Sequence, residues 1–282
     1  MRIFFSLLFL LIIQGCSNHK DTSKANNSIE SYSYDSDINT LNNEEKKKAF
    51  ETLFNRAEKG DSKAANELGR FYQFGVLNSK DCEKAEHWYK KSSNWGYKIA
   101  THNLAYIYMA NECTYQNITL TKKLLNANLD YPPSENLLGI IYLRGLDGKV
   151  DAEKGIMHLE NAAKNNNLDA INSLGFIYLK GVNRQIDYSK AKAYFEKGQA
   201  LGDSNALVNL SSMYLVGNGV EKNKEYAFEL MEKAAKMNNA VAQFYLGDFY
   251  EKGEIVNQNI EKAKFWYRES AKNGYPQAQM KL

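Results

Sequence analysis

The chain has 282 residues, of which 44% are hydrophobic and 24% charged, a composition typical of a folded soluble domain. The net charge is only +3, and no basic stripe alternates with aromatic residues, so we do not expect a nucleic-acid partner. The sequence contains no H-E-x-x-H, G-x-S-x-G or P-loop motif. We therefore expect no catalytic residue, metal or cofactor.

The first fifteen residues have the features of a secretory signal. Met1 and Arg2 give a positive start, Ile3 to Ile13 form a short apolar run, and the small residue Gly15 precedes Cys16. A run this short indicates a signal segment rather than a membrane span. The ending Ile-Ile-Gln-Gly-Cys resembles a bacterial lipobox, which implies lipidation of Cys16. The alternative is a plain signal peptide with an incidental cysteine.

The lipobox resemblance implies a protein of the bacterial cell envelope, held by acyl chains and facing the periplasm. Each buried CH₂ group of such a chain contributes about 0.8 kcal/mol to anchoring. In a Gram-negative cell, Ser17 in place of an aspartate after the cysteine implies transfer to the outer membrane. Residues 16–43 are rich in Ser, Asn, Thr, Asp and Lys, which predicts a flexible tether. A docking peptide carrying Tyr32 and Tyr34 is the alternative.

Residues 44–282 contain an internal repeat. Six tyrosines recur, with successive steps of 36, 36, 36, 34 and 36 residues when read backwards: Tyr250, Tyr214, Tyr178, Tyr142, Tyr108 and Tyr72. A leucine precedes each of these anchor tyrosines by four residues, and a glycine follows five of them by three, with Asn111 as the exception. Each unit has the pattern of two amphipathic helices joined by a turn, and neither helix buries its apolar stripe alone. The period predicts an α-solenoid of six repeats, with a capping helix over Lys47 to Gly60 and a partial C-terminal helix.

The copies EKAEHWYKKSSNWG and EKAKFWYRESAKNG, with the Leu-Gly and Tyr positions upstream, resemble Sel1-like repeats, which are related to tetratricopeptide repeats. The resemblance covers about Lys48 to Leu282. It is weakest in repeat two, where Ala105 replaces the glycine of Leu-Gly. It implies an all-α protein, a right-handed α-solenoid of helix-turn-helix repeats, that binds other proteins without chemistry of its own.

In tetratricopeptide relatives, two rows of residues on the first helix of each repeat face a concave groove. The first row, two residues before each leucine, is Asn66, His102, Asn136, Asn172, Val208 and Phe244. The second row, two residues after it, is Arg70, Tyr106, Ile140, Phe176, Ser212 and Asp248. We predict that a protein partner binds here, with hydrogen bonds from the asparagines and a surface graded from basic through apolar to acidic. The alternative is that neighbouring side chains bury the apolar middle of the second row.

Two cysteines remain if Cys16 is lipidated. Cys82 opens the second helix of repeat one and Cys113 lies in the turn of repeat two, at the same end of the stack. A disulfide between them needs Cα atoms within about 7 Å, so the pairing stays open. The cysteine pairs that staple each repeat in cysteine-rich Sel1-like proteins are absent.

The remaining polar residues favour structural interpretations. His87 and His158 fall on second helices, where a histidine is usually packed against its neighbours or exposed to solvent rather than catalytic. The turn from Asp147 to Asp151 lacks the ligand density of a calcium loop and is expected to be solvated.

The predicted function is that of an envelope-anchored, non-catalytic, protein-binding lipoprotein. By resemblance to secreted Sel1-like proteins, one candidate is a periplasmic immunity protein that neutralises a toxic effector, such as a type VI secreted phospholipase. An envelope scaffold or regulatory adaptor has the same sequence features. A cell-wall or β-lactam hydrolase is the third reading, but no nucleophile and base can be paired.

Overall fold

The computed structural model describes residues 41–110 and 116–282, where all regular structure is helical. The helices in these ranges are α1 Asn43–Glu58, α2 Ser62–Phe74, α3 Cys82–Asn94, α4 Lys98–Ala110, α5 Ile118–Asn126, α6 Pro132–Arg144, α7 Ala152–Lys164, α8 Leu168–Lys180, α9 Tyr188–Ala200, α10 Ser204–Val216, α11 Lys224–Lys236, α12 Ala240–Lys252, α13 Ile260–Lys272 and α14 Pro276–Gln279. Within them, no helix has both the length and the apolar character that a membrane span requires. The predicted signal segment and lipidation site, and residues 16–40 of the predicted tether, lie outside the described residues, while Asn43 of the predicted tether already begins α1.

Helices that follow one another in sequence pack together, which is the arrangement of an α-solenoid. The chain divides into two compact units, Met1–Asn161 and Ala162–Leu282. In the first unit α2 packs on α3 and α4 on α5, and in the second α8 packs on α9, α10 on α11 and α12 on α13. The even-numbered helices α2 to α12 are the first helices of the six repeats, and α3 to α13 are the second helices. The all-α, helix-turn-helix prediction is confirmed.

The leucine before each anchor tyrosine forms the core of its repeat. All six leucines are at most 4% exposed: Leu68, Leu104, Leu138, Leu174, Leu210 and Leu246. The stop glycines end the first helices in the left-handed conformation, with φ between +61° and +87°: Gly75, Gly145, Gly181, Gly217 and Gly253. Glycine adopts this conformation at no steric cost, which explains its recurrence.

One hydrogen bond closes the turn of every repeat in the same way. The backbone N–H of the residue nine positions after each anchor tyrosine donates to the carbonyl of that tyrosine, at 2.9–3.0 Å. The side chain of this residue also caps the second helix by accepting from a backbone N–H in its first turn. These residues are Asp81, Asn117, Asp151, Asp187, Asn223 and Asn259. Repeat two keeps Asn117, so it retains the turn although its apolar pattern is weak.

A second regularity covers the ring of each anchor tyrosine. The residue twelve positions later packs against that ring, either as a lysine ammonium 5.0–5.6 Å from the ring centroid or as an apolar side chain. These residues are Lys84, Leu120, Lys154, Lys190, Tyr226 and Lys262. A lysine covers the ring with its stem and places its charge over the ring face.

The glycine of the Leu-Gly motif lets the two helices of a repeat come close together. A Cβ on Gly175 would lie 2.4 Å from Cε1 of Phe195, and one on Gly69 would lie 2.6 Å from the ring of Tyr89. The bulky residue stands twenty positions after the small one in each case. In repeat two, where Ala105 replaces the glycine, the residue twenty positions later is Leu125, which is smaller than a ring.

Replacing Gly175 with alanine is expected to lower the free energy of unfolding by about 1–3 kcal/mol, because the added methyl overpacks the contact with Phe195. The 1–3 kcal/mol is the net loss, after the gain of about 1 kcal/mol that alanine gives over glycine in a helix interior. Adding Phe195→Leu should recover part of the loss by reproducing the Ala105 and Leu125 pair. Urea unfolding measures the effect, and equal stability of Gly175→Ala and the wild type would contradict the packing argument.

Candidate protein-binding surface

The first row of predicted groove residues lies mainly inside the packing of the first unit. Asn66 is 1% exposed, donates to Glu67 at 3.0 Å and accepts from Asn103 at 3.0 Å. Asn136 is 3% exposed, and its buried Oδ1 has no hydrogen-bond partner. His102 is only partly exposed and its ring lies edge-on to Tyr131. Asn66 and His102 contact residues of the next repeat, and a role of this row in binding a partner stays a prediction.

The first-row residues of the second unit also contact neighbouring side chains, although Asn172 and Phe244 are partly exposed. Asn172 donates through Nδ2 to Asp203, the cap of α10, and Val208 is buried. Phe244 packs between Tyr267 and Tyr275, with ring centroids 5.5 and 5.1 Å away. Apolar and amide side chains two residues before each core leucine therefore pack against, or hydrogen-bond to, neighbouring helices and caps.

His102 is kept neutral by its surroundings. Its ring lies 5.6 Å from that of Tyr131, and its Nδ1 lies 3.5 Å from Oγ of Ser134. Loss of hydration lowers the pKa of His102 to about 4. The side chain is therefore uncharged at neutral pH and makes no ionic contact there.

The lowered pKa of His102 predicts acid sensitivity. In the unfolded state, where the histidine pKa is near 6.5, the side chain of His102 is protonated below that pH, whereas in the folded state it is protonated only below about pH 4. The free energy of unfolding should therefore fall as the pH drops from about 6.5 to about 4, by up to about 2–3 kcal/mol from this group. The free energy of unfolding of His102→Asn, subtracted from that of the wild type at each pH, gives the contribution of His102. Parallel pH profiles for the two proteins would contradict it.

The second row is more accessible in the first unit. Arg70, Tyr106 and Ile140 are each partly exposed on α2, α4 and α6. Burial raises the pKa of Tyr131, and the positive charge of Arg70 opposes that shift. These residues form a surface with a cation beside apolar and aromatic groups.

Two exposed residues that the repeat pattern did not single out extend this face. Phe74, 48% exposed, follows Arg70 by four residues, and the exposed Arg144 follows Ile140 by four. Residues four apart share one face of a helix, so the spacing itself was the available signal. We call Arg70, Phe74, Tyr106, Ile140 and Arg144 the inner face of the first unit.

The second unit departs from the predicted graded surface. Phe176 is 7% exposed, so the burial alternative holds for it, while Ser212 is partly exposed. Asp248 is 9% exposed and pairs with Lys252 and, at 3.8 Å, with Lys281. Its negative charge is balanced within the chain, so the expected acidic end of the surface is neutralised.

The polar residues considered for chemistry have structural partners in the described ranges. His158 hydrogen-bonds to Glu135 in the core, and its ring stacks on Tyr142. Asp151 caps α7 and Asp147 pairs with Lys122. Over residues 41–110 and 116–282, no group of three or more His, Cys, Asp or Glu side chains is arranged to hold a metal ion.

Cys82, the first residue of α3, is disulfide-bonded. Cys16 and Cys113 lie outside the described residues, so the Cys82–Cys113 pairing stays a prediction. Cys82 contributes to the wall of a cavity between α1, α2 and the turn before α3.

A family model for the Sel1 repeat matches residues 62–96, 132–167, 168–203, 204–239 and 240–275. The matches cover more than half of the chain, which therefore belongs to the Sel1 repeat family. The gap between the first two matches, residues 97–131, is repeat two, where the sequence pattern is weakest. Sel1 repeats generally bind protein partners, so this chain is a protein-binding scaffold of that family.

Solved structures of bacterial Sel1 repeat proteins share the fold. A Sel1 repeat protein from Oxalobacter formigenes is 25% identical, with a TM-score of 0.67 over 82% of this chain and 99% of that one. A protective antigen from uropathogenic Escherichia coli strains is 28% identical, with a TM-score of 0.64 over 83% of this chain and 50% of that one. Immunity protein Pa5087 from Pseudomonas aeruginosa is 19% identical, with a TM-score of 0.54 over 75% of this chain and 81% of that one, which shows the fold alone.

A curated relative matches over a shorter range. It is the ERAD-associated E3 ubiquitin-protein ligase component HRD3B of Arabidopsis thaliana, 32% identical over 106 residues. The match covers 36% of this chain and 16% of the relative's length.

Proposed function

We propose that this chain is a non-catalytic scaffold of the bacterial envelope that binds one protein partner through the inner face of the first unit. The observation that carries the proposal is that Arg70, Tyr106 and Ile140 lie at one register on three successive first helices and stay partly exposed. In the second unit Phe176 and Asp248 are buried and Asp248 pairs with two lysines, while Ser212 is partly exposed. The partner-binding residues are therefore concentrated in repeats one to three.

The chemistry of this face defines the partner it fits. Tyr106, Ile140 and Phe74 offer apolar area, and Arg70 and Arg144 place guanidinium groups beside them. Arginine and aromatic side chains commonly dominate binding energy at interfaces, while charge pairs set orientation and association rate. The matching surface is an apolar projection flanked by carboxylates.

The location is part of the proposal. Lipidation of Cys16 would hold the protein at the outer membrane, with the repeats in the periplasm. The supporting observation is the charged start, short apolar run and Gly15–Cys16 junction of the sequence. Two or more acyl chains give stable anchoring without a membrane-spanning helix.

Among envelope roles, we propose immunity: the scaffold occludes a toxic effector, such as a type VI secreted phospholipase. The support is the fold shared with immunity proteins of Pseudomonas aeruginosa. An envelope scaffold or regulatory adaptor is the second candidate, supported by the same repeat architecture.

Affinity capture from envelope extract with the full chain, followed by mass spectrometry, separates these roles. One dominant toxin whose activity falls to background at a 1:1 ratio supports immunity. Several resident envelope proteins and no toxin support the scaffold instead. Turnover of cell-wall or β-lactam substrates by the purified protein would contradict the non-catalytic proposal.

A further inference from the structure

A cavity of about 600 Å³ lies at the N-terminal end of the first unit, between α1, α2 and the turn that leads to α3. Phe50, Phe71, Tyr72 and Leu77 supply its apolar wall. Its volume falls in the range of about 300–1,000 Å³ that is typical of sites for small ligands or side chains. The cavity is separate from the inner face to which we assign partner binding.

The described chain begins at this cavity. Leu41 packs in one apolar cluster with Phe71, Phe50 and Leu77, three residues that also form the cavity wall. The segment before Leu41 is therefore tethered at the wall itself. Tyr34 precedes Leu41 by seven residues, a span of up to about 25 Å when extended, so it reaches every part of a cavity of this size.

The segment also has apolar groups that this cavity fits. Tyr32 and Tyr34 are two residues apart, so an extended backbone presents both rings on one side. The cavity offers the rings of Phe50, Phe71 and Tyr72 on its wall. Its charged lining residues, Lys80, Asp81, Glu83 and Lys84, balance one another, so the rings are the groups that match.

We propose that residues 32–37 occupy this cavity in their own chain. The rings of Tyr32 and Tyr34 pack against the wall formed by Phe50 and Tyr72. The short connection to Leu41 makes the contact intramolecular, which raises the effective concentration of the segment over that of any free peptide. Docking fixes the base of the first unit and leaves only the residues before Tyr32 as a free tether.

Photo-crosslinking in the full chain tests this contact. With p-benzoylphenylalanine in place of Tyr34, the expected product is an intrachain crosslink to peptides containing residues 71–84. The matched control places the same group at Ser33, which faces the opposite side of an extended segment and should give a several-fold lower yield. Interchain crosslinks, crosslinks elsewhere in the chain, or equal yields from the two positions would overturn the proposal.

Discussion

Glu135→Leu is expected to lower the free energy of unfolding by about 3–5 kcal/mol, because it leaves His158 buried without its partner. Glu135 and His158 are each 7% exposed and hydrogen-bond directly, and Asn161 also donates to Glu135 at 3.4 Å. Chemical denaturation of the single variant, compared with the wild type, measures the loss.

Repeat four offers the matched control, since it has Ile171 and Tyr194 at the positions of Glu135 and His158. The ring of Tyr194 stacks on Tyr178 at 5.8 Å, as that of His158 stacks on Tyr142 at 5.5 Å. The double variant Glu135→Ile with His158→Tyr should therefore be about as stable as the wild type, or more so. A double variant as unstable as the single one would show that the polar pair is not the cause.

Cys82→Ser is expected to lower the free energy of unfolding by about 3–4 kcal/mol, the chain-entropy value for a loop of about 30 residues closed by the predicted Cys82–Cys113 bond. Reductant should destabilise the wild type by the same amount and leave the variant unchanged. The measurement is denaturant unfolding with and without reductant.

Peptide mapping of the unreduced protein identifies the partner of Cys82 directly. A linked pair of peptides containing Cys82 and Cys113 is the expected result. A link to Cys16 would contradict both this pairing and the lipidation of Cys16.

The fold could be predicted because the six repeats share one pattern of apolar residues and glycines, so each repeat gives independent evidence for the same pair of helices. The anchor leucines had to be buried, and the stop glycines had to end the first helices, whatever the neighbouring repeats contained. The Asp or Asn nine residues after each anchor tyrosine was also visible in the sequence. The apolar period does not include this position, because the capping residues are polar and vary between Asp and Asn.

The burial of individual groove residues could not be predicted, because periodicity does not say which side of an apolar stripe meets the next repeat. Asn66 and Asn136 are polar, yet they lie inside the packing, where Asn66 bonds to Asn103 of the next first helix. Asp248 is neutralised partly by Lys281, which is 33 residues away in the chain. Such contacts depend on how adjacent helices are placed, which a single repeat unit does not encode.

The most direct test of the proposed function is the affinity of the captured partner for two matched variants, measured by isothermal titration calorimetry. Ile140→Glu places a charge on the inner face, and Met157→Glu places the same charge at a 48% exposed site on the second helix of the same repeat. We predict that Ile140→Glu weakens binding by at least about tenfold, or about 1.4 kcal/mol, while Met157→Glu binds like the wild type. With both variants shown to be folded by thermal unfolding, wild-type affinity for Ile140→Glu, or equal losses for the two, would contradict binding through the inner face.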